Sequence, residues 1–413
     1  MDLPPRAQRP VEKLIRFGGC WALVLGAVGT LAAQAGPAPA PSGRDQVRKQ
    51  FADREQAAVA EPFVGLTTKG GRESGLYPIR ATGVPTDALV TAATAFLGTL
   101  TPEQKARTAF PVEDAEWRKW CNVDNGIYVR QGTSLKEMNP AQRAAARELM
   151  RATLSAKGLA LADAIRRTDQ TLRELNDDDP SYDEELYFFT VMGTPSATEP
   201  WGWQLDGHHL IINTFVLGDQ VVMTPAFWGG EPIHAKTGKY AGNTVLQEEQ
   251  DQGLAFMRSL DPAQQAAARI APLKVRNDIQ AEAFKDNAVL DYAGLPATKL
   301  TADQRKQLLA LAALFVNNQS DGQARVKLAE VAAYADKTWF AWVGDTSSDA
   351  VFYFRIHSPV ILIEFDHQQP VGTRMINERG KVTRDHIHVI VRTPNGNDYG
   401  KDLLRQHLLQ HPH

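Results

Sequence analysis

Four segments of this chain open with one formula, and that repetition constrains the fold more than any other feature. They read LTPEQK from residue 100, MNPAQR from 138, LDPAQQ from 260 and LTADQR from 300. Thr101, Asn139, Asp261 and Thr301 carry short side chains that accept hydrogen bonds from the free N–H groups of a helix start. Proline follows three of them, at the position where a helix does not need the N–H it lacks. Ala- and Leu-rich runs come next, such as PAQRAAARELMRATLSA and ADQRKQLLALAALFV. Four helices therefore begin alike, in two pairs whose members start 38 residues apart (100 to 138) and 40 apart (260 to 300).

The β regions echo this pairing. FTVMGTPSATEPWGWQLDGHHLIINTF, residues 189–215, registers without a gap on FAWVGDTSSDAVFYFRIHSPVILIEFD, residues 340–366, at an offset of 151. Phe189 meets Phe340, Gly193 meets Gly344 and WGW meets FYF. Self-similarity of this kind predicts an internal duplication, with pseudo-repeats over about 95–235 and 255–413. Runs rich in β-branched and aromatic residues at 186–192, 210–217, 220–224, 339–343, 351–356, 360–365 and 386–392 read as strands. Gly218-Asp219 suits a two-residue hairpin turn, and the Gly-Gly of TPAFWGGEP reads as a turn ending the first hairpin, which would let Glu231 reach a cleft rim. Strands cluster and helices cluster between them. The expected fold is α+β: a mostly antiparallel sheet built from two similar β-meander halves, with helices packed outside.

The first residues stand apart from that fold. Arg6, Arg9, Lys13 and Arg16 precede a mostly apolar run at 17–33, and Ala33-Gln34-Ala35 offers a small-residue cleavage pattern. Residues 1–35 read as a secretory signal peptide, so the protein is expected to be secreted or periplasmic. Residues 36–60 read as a flexible leader, GPAPAPSG, running into an exposed polar helix, and 61–413 as a single domain. Cleavage removes four of 45 basic and two of 48 acidic groups, leaving 41 against 46 and a formal charge of −5. That balance argues against nucleic acid as a partner, since phosphate binding calls for basic patches. No later segment is apolar for long enough to span a membrane. Cys121 is the one cysteine left, which excludes an intramolecular disulfide and a cysteine-based zinc site.

All ten histidines follow residue 207. His386 and His388 alternate along a strand, so both project to one face about 6–7 Å apart, a usable spacing for two ligands of one metal. His208 and His209 would point to opposite faces if both lay in a strand. Glu364 sits inside VILIEF, where an ionised carboxylate costs several kcal/mol unless paired or metal-bound. His208 or His209, with His386, His388 and Glu364, is thus a candidate ligand set for zinc or another divalent transition metal between the two halves. Glu364 and His388 are the candidate catalytic pair, and Trp201, Trp203 and Trp228 flank the same hairpin as candidate substrate-binding residues. A metal-free network, in which these histidines only order the core, is the competing reading.

Standard catalytic motifs are missing. There is no G-x-S-x-G, HExxH or C-x-x-C-H, GGEPIHAKTGKY has the wrong spacing for a P-loop, and KTG at 236–238 lacks an S-x-x-K partner. Three functions stay open: a metal-assisted enzyme, hydrolase-like or redox, acting on a small-molecule substrate; a binding protein for a sugar or other small ligand with an aromatic-lined cleft; and a structural envelope domain.

Taken in order, WGW, GHHL, IEFD and HIH, with DYGKDLLRQH near the end, resemble the bacterial family catalogued as domain of unknown function 3500. The resemblance spans about residue 85 to the end. It implies one structural unit, often secreted, and carries no activity.

Overall fold

A computed structural model describes residues 43–411. The signal-peptide reading, most of the leader and the last two residues fall outside the described residues.

Ten α-helices run α1 Gly43–Ala60, α2 Asp87–Thr99, α3 Pro102–Thr108, α4 Pro140–Thr153, α5 Ala156–Leu175, α6 Gln247–Ser259, α7 Pro262–Ala268, α8 Ala302–Val316, α9 Asp321–Ala333 and α10 Lys401–Gln410 among the described residues. The formula at four of their starts acts as expected. Thr101, Asn139, Asp261 and Thr301 each accept the third helical N–H, while the glutamine there, Gln104, Gln142, Gln264 or Gln304, bonds back to the cap backbone. Each capping box satisfies two otherwise free donors. The glutamines then meet in pairs. Gln142 donates to Gln104 at 2.6 Å, and Gln264 and Gln304 donate to one another at 2.9 and 2.8 Å.

The strands are β1 Ala109–Phe110, β2 Thr133–Ser134, β3 Phe188–Met192, β4 Trp201–Gly207, β5 Leu210–Leu217, β6 Gln220–Val222 and β7 Ala226–Gly230. They continue with β8 Arg269–Ala271, β9 Leu295–Pro296, β10 Trp339–Val343, β11 Tyr353–His357, β12 Leu362–His367 and β13 Ile387–Arg392. They form one sheet in the order β1-β3-β4-β5-β7-β13-β12-β11-β10-β8, with β2 on β3, β6 on β5 and β9 on β10. Pairing is antiparallel except for β1 with β3 and β8 with β10. The central contact joins β7 to β13, with His388 opposite Gly229 and Val389 opposite Trp228.

Six strands depart from expectation, the short β1, β2, β8 and β9 among them. β4 went unread, and TPAFWGGEP forms the central strand β7 instead of a terminal turn. Gly229 and Gly230 are there for clearance. A Cβ on Gly229 would stand 3.2 Å from the His209 ring and 2.9 Å from a backbone oxygen, and one on Gly230 would stand 2.6 Å from Val245.

The two faces of the sheet are covered differently. Side chains of one parity, including Trp203, Leu205, Leu210, Trp228, Val389 and Phe365, pack against α2, α4, α5, α6 and α8. The opposite face lies under irregular segments around residues 66–77, 117–128 and 279–284 and under α10. It carries Gln204, Asp206, Asn213, Arg355, Glu364, Asp366, His388 and Arg392, all buried. Buried polar groups need partners, and several of these are fully paired: Gln204 donates to Asn213 at 2.7 Å, and Arg392 pairs with Asp286 and Asp398, both at 2.7 Å. The candidate site belongs to this polar, loop-covered face.

Candidate metal centre

β4 and β5 are joined by two residues, His208 and His209, because Gly207 pairs with Leu210. His209 takes φ +59°, in the left-handed region that glycine enters more easily than any other residue. A non-glycine residue there costs on the order of 1–3 kcal/mol and persists where its surroundings fix it. Here the backbone N–H donates to Asn122 at 3.2 Å, and the carbonyl accepts from Gly229 at 2.8 Å. The expected opposition of the two rings does not occur, because both residues lie in the turn and alternation does not apply. The rings stack, with centroids 3.9 Å apart and planes at 25°.

Only one of the pair reaches the other histidines. His209 Nε2 is 3.2 Å from His386 Nε2, which is 3.0 Å from His388 Nε2. The three ligand atoms lie within 4.8 Å of one another, and all three residues are buried. His386 Nδ1 stands 2.7 Å from the carbonyl oxygen of Gln369. A carbonyl only accepts, so Nδ1 carries the proton and Nε2 presents a lone pair toward its neighbours. The Nδ1 atoms of His209 and His388 meet no protein partner. Burial, reinforced by the neighbouring histidines, holds His209 and His388 well below the ordinary histidine range. Neutral imidazoles are the form that binds metal.

His208 is directed elsewhere. Its Nδ1 lies 2.5 Å from Asp169, whose other oxygen accepts from Tyr187 at 2.6 Å. Burial pushes His208 down, but the Asp169 carboxylate outweighs it and lifts the imidazole above its ordinary value. It stands behind His209 and outside the trio.

Glu364 is also outside the trio, although it shares the polar face with His388. It accepts from Gln280 N at 3.0 and 3.1 Å, from Ala281 N at 2.8 Å and from the Tyr353 hydroxyl at 2.6 Å. Burial pushes its carboxyl up against those donors. The role expected of it as ligand or general base gives way to a structural one: its oxygens fasten the 280–281 segment over the sheet. The sequence correctly marked Glu364 as an acid in need of partners, but strand composition could not say that backbone N–H groups would supply them.

The three tryptophans do not line this site. Trp201, Trp203 and Trp228 are fully buried in the core beneath the helices. Strand parity explains it, since Trp228 is adjacent to Gly229 and so faces away from His388.

A cleft of about 600 Å³ opens beside the histidines, with His386 and His388 in its floor. Phe51, Arg54, Glu61, Glu282, Phe284 and Lys285 also line it, the two phenylalanine rings meeting edge to face with centroids 6.2 Å apart. Cys121 also borders it, but burial pushes that thiol up to about 12, which leaves it a thiol and not a nucleophile.

Sequence reading missed Asp169, and it expected Glu231 only at a cleft rim, not as a partner of His386. Glu231 follows the glycines of β7 and is 1% exposed. It accepts from Val371 N, Gly372 N and Thr373 N at 2.8, 3.0 and 2.9 Å and lies 3.5 Å from His386 Nδ1. Burial pushes its carboxyl up, but His386 and these donors prevail and hold it below the ordinary value. A lone acid after a glycine pair carries no sequence signal of that role.

A sequence model of the family described as "Protein of unknown function (DUF3500)" matches residues 82–401. No curated protein and no solved structure matches the chain.

Proposed function

The chain belongs to the DUF3500 family, and we propose that it is a secreted metal-dependent enzyme of hydrolase-like character, with His209, His386 and His388 as the ligands of one divalent transition metal. One observation carries this reading: His386 Nε2 stands 3.2 Å from His209 Nε2 and 3.0 Å from His388 Nε2, the ligand atoms of these three buried residues all lie within 4.8 Å of one another, and a neutral His386 with its Nδ1 proton on Gln369 O presents a lone pair to the other two. Nitrogens held about 2.0–2.1 Å from an ion at tetrahedral angles stand about 3.3–3.4 Å apart. The two separations from His386 are slightly tighter than that and the His209–His388 separation is no more than 4.8 Å, so an ion would fit after ring movements.

Three protein ligands leave one position for water or substrate, the arrangement of catalytic rather than structural zinc sites. The cleft beside His386 and His388 gives that position access to a small molecule. A bound divalent ion would lower the pKa of a water toward neutrality and polarise an ester, amide or similar carbonyl. The cleft walls carry Phe51 and Phe284 together with Arg54, Glu61, Glu282 and Lys285 in place of the expected tryptophans, which suits a substrate with both an apolar and a polar part. Secretion rests on the basic, apolar and small-residue order of residues 1–35. No helix among the described residues is long and apolar enough to cross a membrane.

The test is stoichiometric. Metal-stripped protein titrated with Zn²⁺ should take up one ion per chain and lose that uptake on His388→Ala. The loaded protein should hydrolyse activated esters faster than the stripped one. Wild-type protein that takes up no ion with better than millimolar affinity would end the proposal.

The two halves are further proposed to descend from a duplication. Three features support it. The strand order reads alike from either end, each outer strand (β1 or β8) lies parallel to its neighbour, and each half pairs two capping-box glutamines.

A further inference from the structure

We infer that Glu231 is the positioning residue of the trihistidine site: it fastens the 369–373 loop to His386, and through that loop it sets how tightly and in what geometry the site holds its ion. This rests on the metal reading above.

The three histidines are supported unequally. His388 lies inside β13, where the ladder on both sides fixes its backbone. His209 is pinned through its own N–H and carbonyl, to Asn122 and Gly229. His386 stands just ahead of β13, which begins at Ile387. The outer edge of its ring rests on Gln369 O at 2.7 Å and faces Glu231 Oε2 at 3.5 Å.

Glu231 also shapes the loop that carries Gln369. Its Oε1 accepts from Val371 N, Thr373 N and the Thr373 hydroxyl at 2.8, 2.9 and 2.5 Å, and Oε2 accepts from Gly372 N at 3.0 Å. Three successive backbone donors on one carboxylate define the path of the chain. If the carboxylate moves, Gln369 O moves, and the His386 ring loses the partner that fixes its tautomer and tilt. Outer partners of this type orient metal-binding histidines.

Charge points the same way. A dication on three neutral imidazoles keeps its full charge, and a buried charge needs a counter-charge. Glu231 supplies one beside His386.

A residue that only fastened a surface loop would change the stability of the metal-free protein and nothing else. The experiment therefore reads both properties. Full-length, metal-stripped protein is titrated with Co²⁺, recording the dissociation constant and the visible ligand-field bands, for wild type, Glu231→Gln and Glu231→Asp. Metal-free melting is recorded for each. Glu231→Gln should weaken Co²⁺ binding by roughly 10–100-fold and alter the bands. Glu231→Asp keeps the charge on a shorter arm and should lose less. A folded Glu231→Gln protein with the wild-type constant and spectrum overturns the inference. If that variant does not fold, an unchanged Glu231→Asp protein overturns it equally. Wild-type protein that takes up no Co²⁺ removes the metal reading itself, a result distinct from either.

Discussion

The Nε2 atoms of His386 and His388 stand 3.0 Å apart, with the two ring planes at 82°. Side chains two residues apart on an extended chain start about 6–7 Å from one another. The rings have closed that gap by leaning together, and the His209 ring meets both, at 63° to each. They cross so that the Nε2 atoms of His209 and His388 both approach that of His386.

Removing one ligand should be far more costly to metal binding than removing the neighbouring acid. His209→Ala, His386→Ala or His388→Ala should each weaken Zn²⁺ binding by at least about 100-fold, near 3 kcal/mol. Glu364→Gln should leave the affinity within about threefold but lower stability by about 3 kcal/mol, because it disturbs a buried carboxylate bound by Gln280, Ala281 and Tyr353. Calorimetric titration and urea unfolding separate the two. Loss of Zn²⁺ binding in a folded Glu364→Gln protein would return this acid to the ligand set.

Gly229→Ala tests the clearance beneath His209. The added methyl carbon would stand 3.0 Å from the Phe227 ring and 3.2 Å from the His209 ring. Overpacking of this size costs about 1–3 kcal/mol. Melting should fall and Zn²⁺ affinity should fall with it, whereas substituting Gly218, an open turn glycine with nothing within 4 Å, should affect only melting.

Acid stability should depend on His357. Burial, with Arg355 adding to it, pushes this imidazole down to about 3. Between that value and the ordinary 6.5, the unfolded chain binds a proton here that the folded chain does not. Stability therefore rises with pH across this window and is lost as pH falls through it, by on the order of a few kcal/mol. His357→Phe retains a ring against Tyr292, whose centroid lies 4.6 Å away. It should flatten the stability difference measured by urea unfolding at pH 4.5 and 7.5; an unchanged difference would assign the acid sensitivity elsewhere.

Trp203→Ala should cost about 3–5 kcal/mol, as truncation of a large core side chain does. Trp203 is fully buried and donates to Thr153 at 3.2 Å. Zn²⁺ affinity should stay near wild type, since the residue lies on the other face of the sheet. A selective loss of ligand binding in a folded protein would instead favour an aromatic cleft.

Much of this was legible in the chain. The starts of α3, α4, α7 and α8 and the bounds of β5 and β10 follow from local chemistry, and so does the common face of His386 and His388. The misreadings share one cause. Gly229-Gly230 looked like a turn because the ring and side chain that require glycine there belong to distant segments. Glu364 looked like a ligand because its donors come from a loop 83–84 residues away.

By itself, the sequence determined where helices begin, which residues alternate to which side of a strand, and that buried acids and imidazoles would need partners. Those properties depend on neighbours within a turn or two along the chain. Only the tertiary structure decided which partners they found. His209 and His386 meet across 177 residues because β7 and β13 pair at the centre of the sheet. A one-residue slip in that register would turn His388 toward the helices and Val389 toward the cleft.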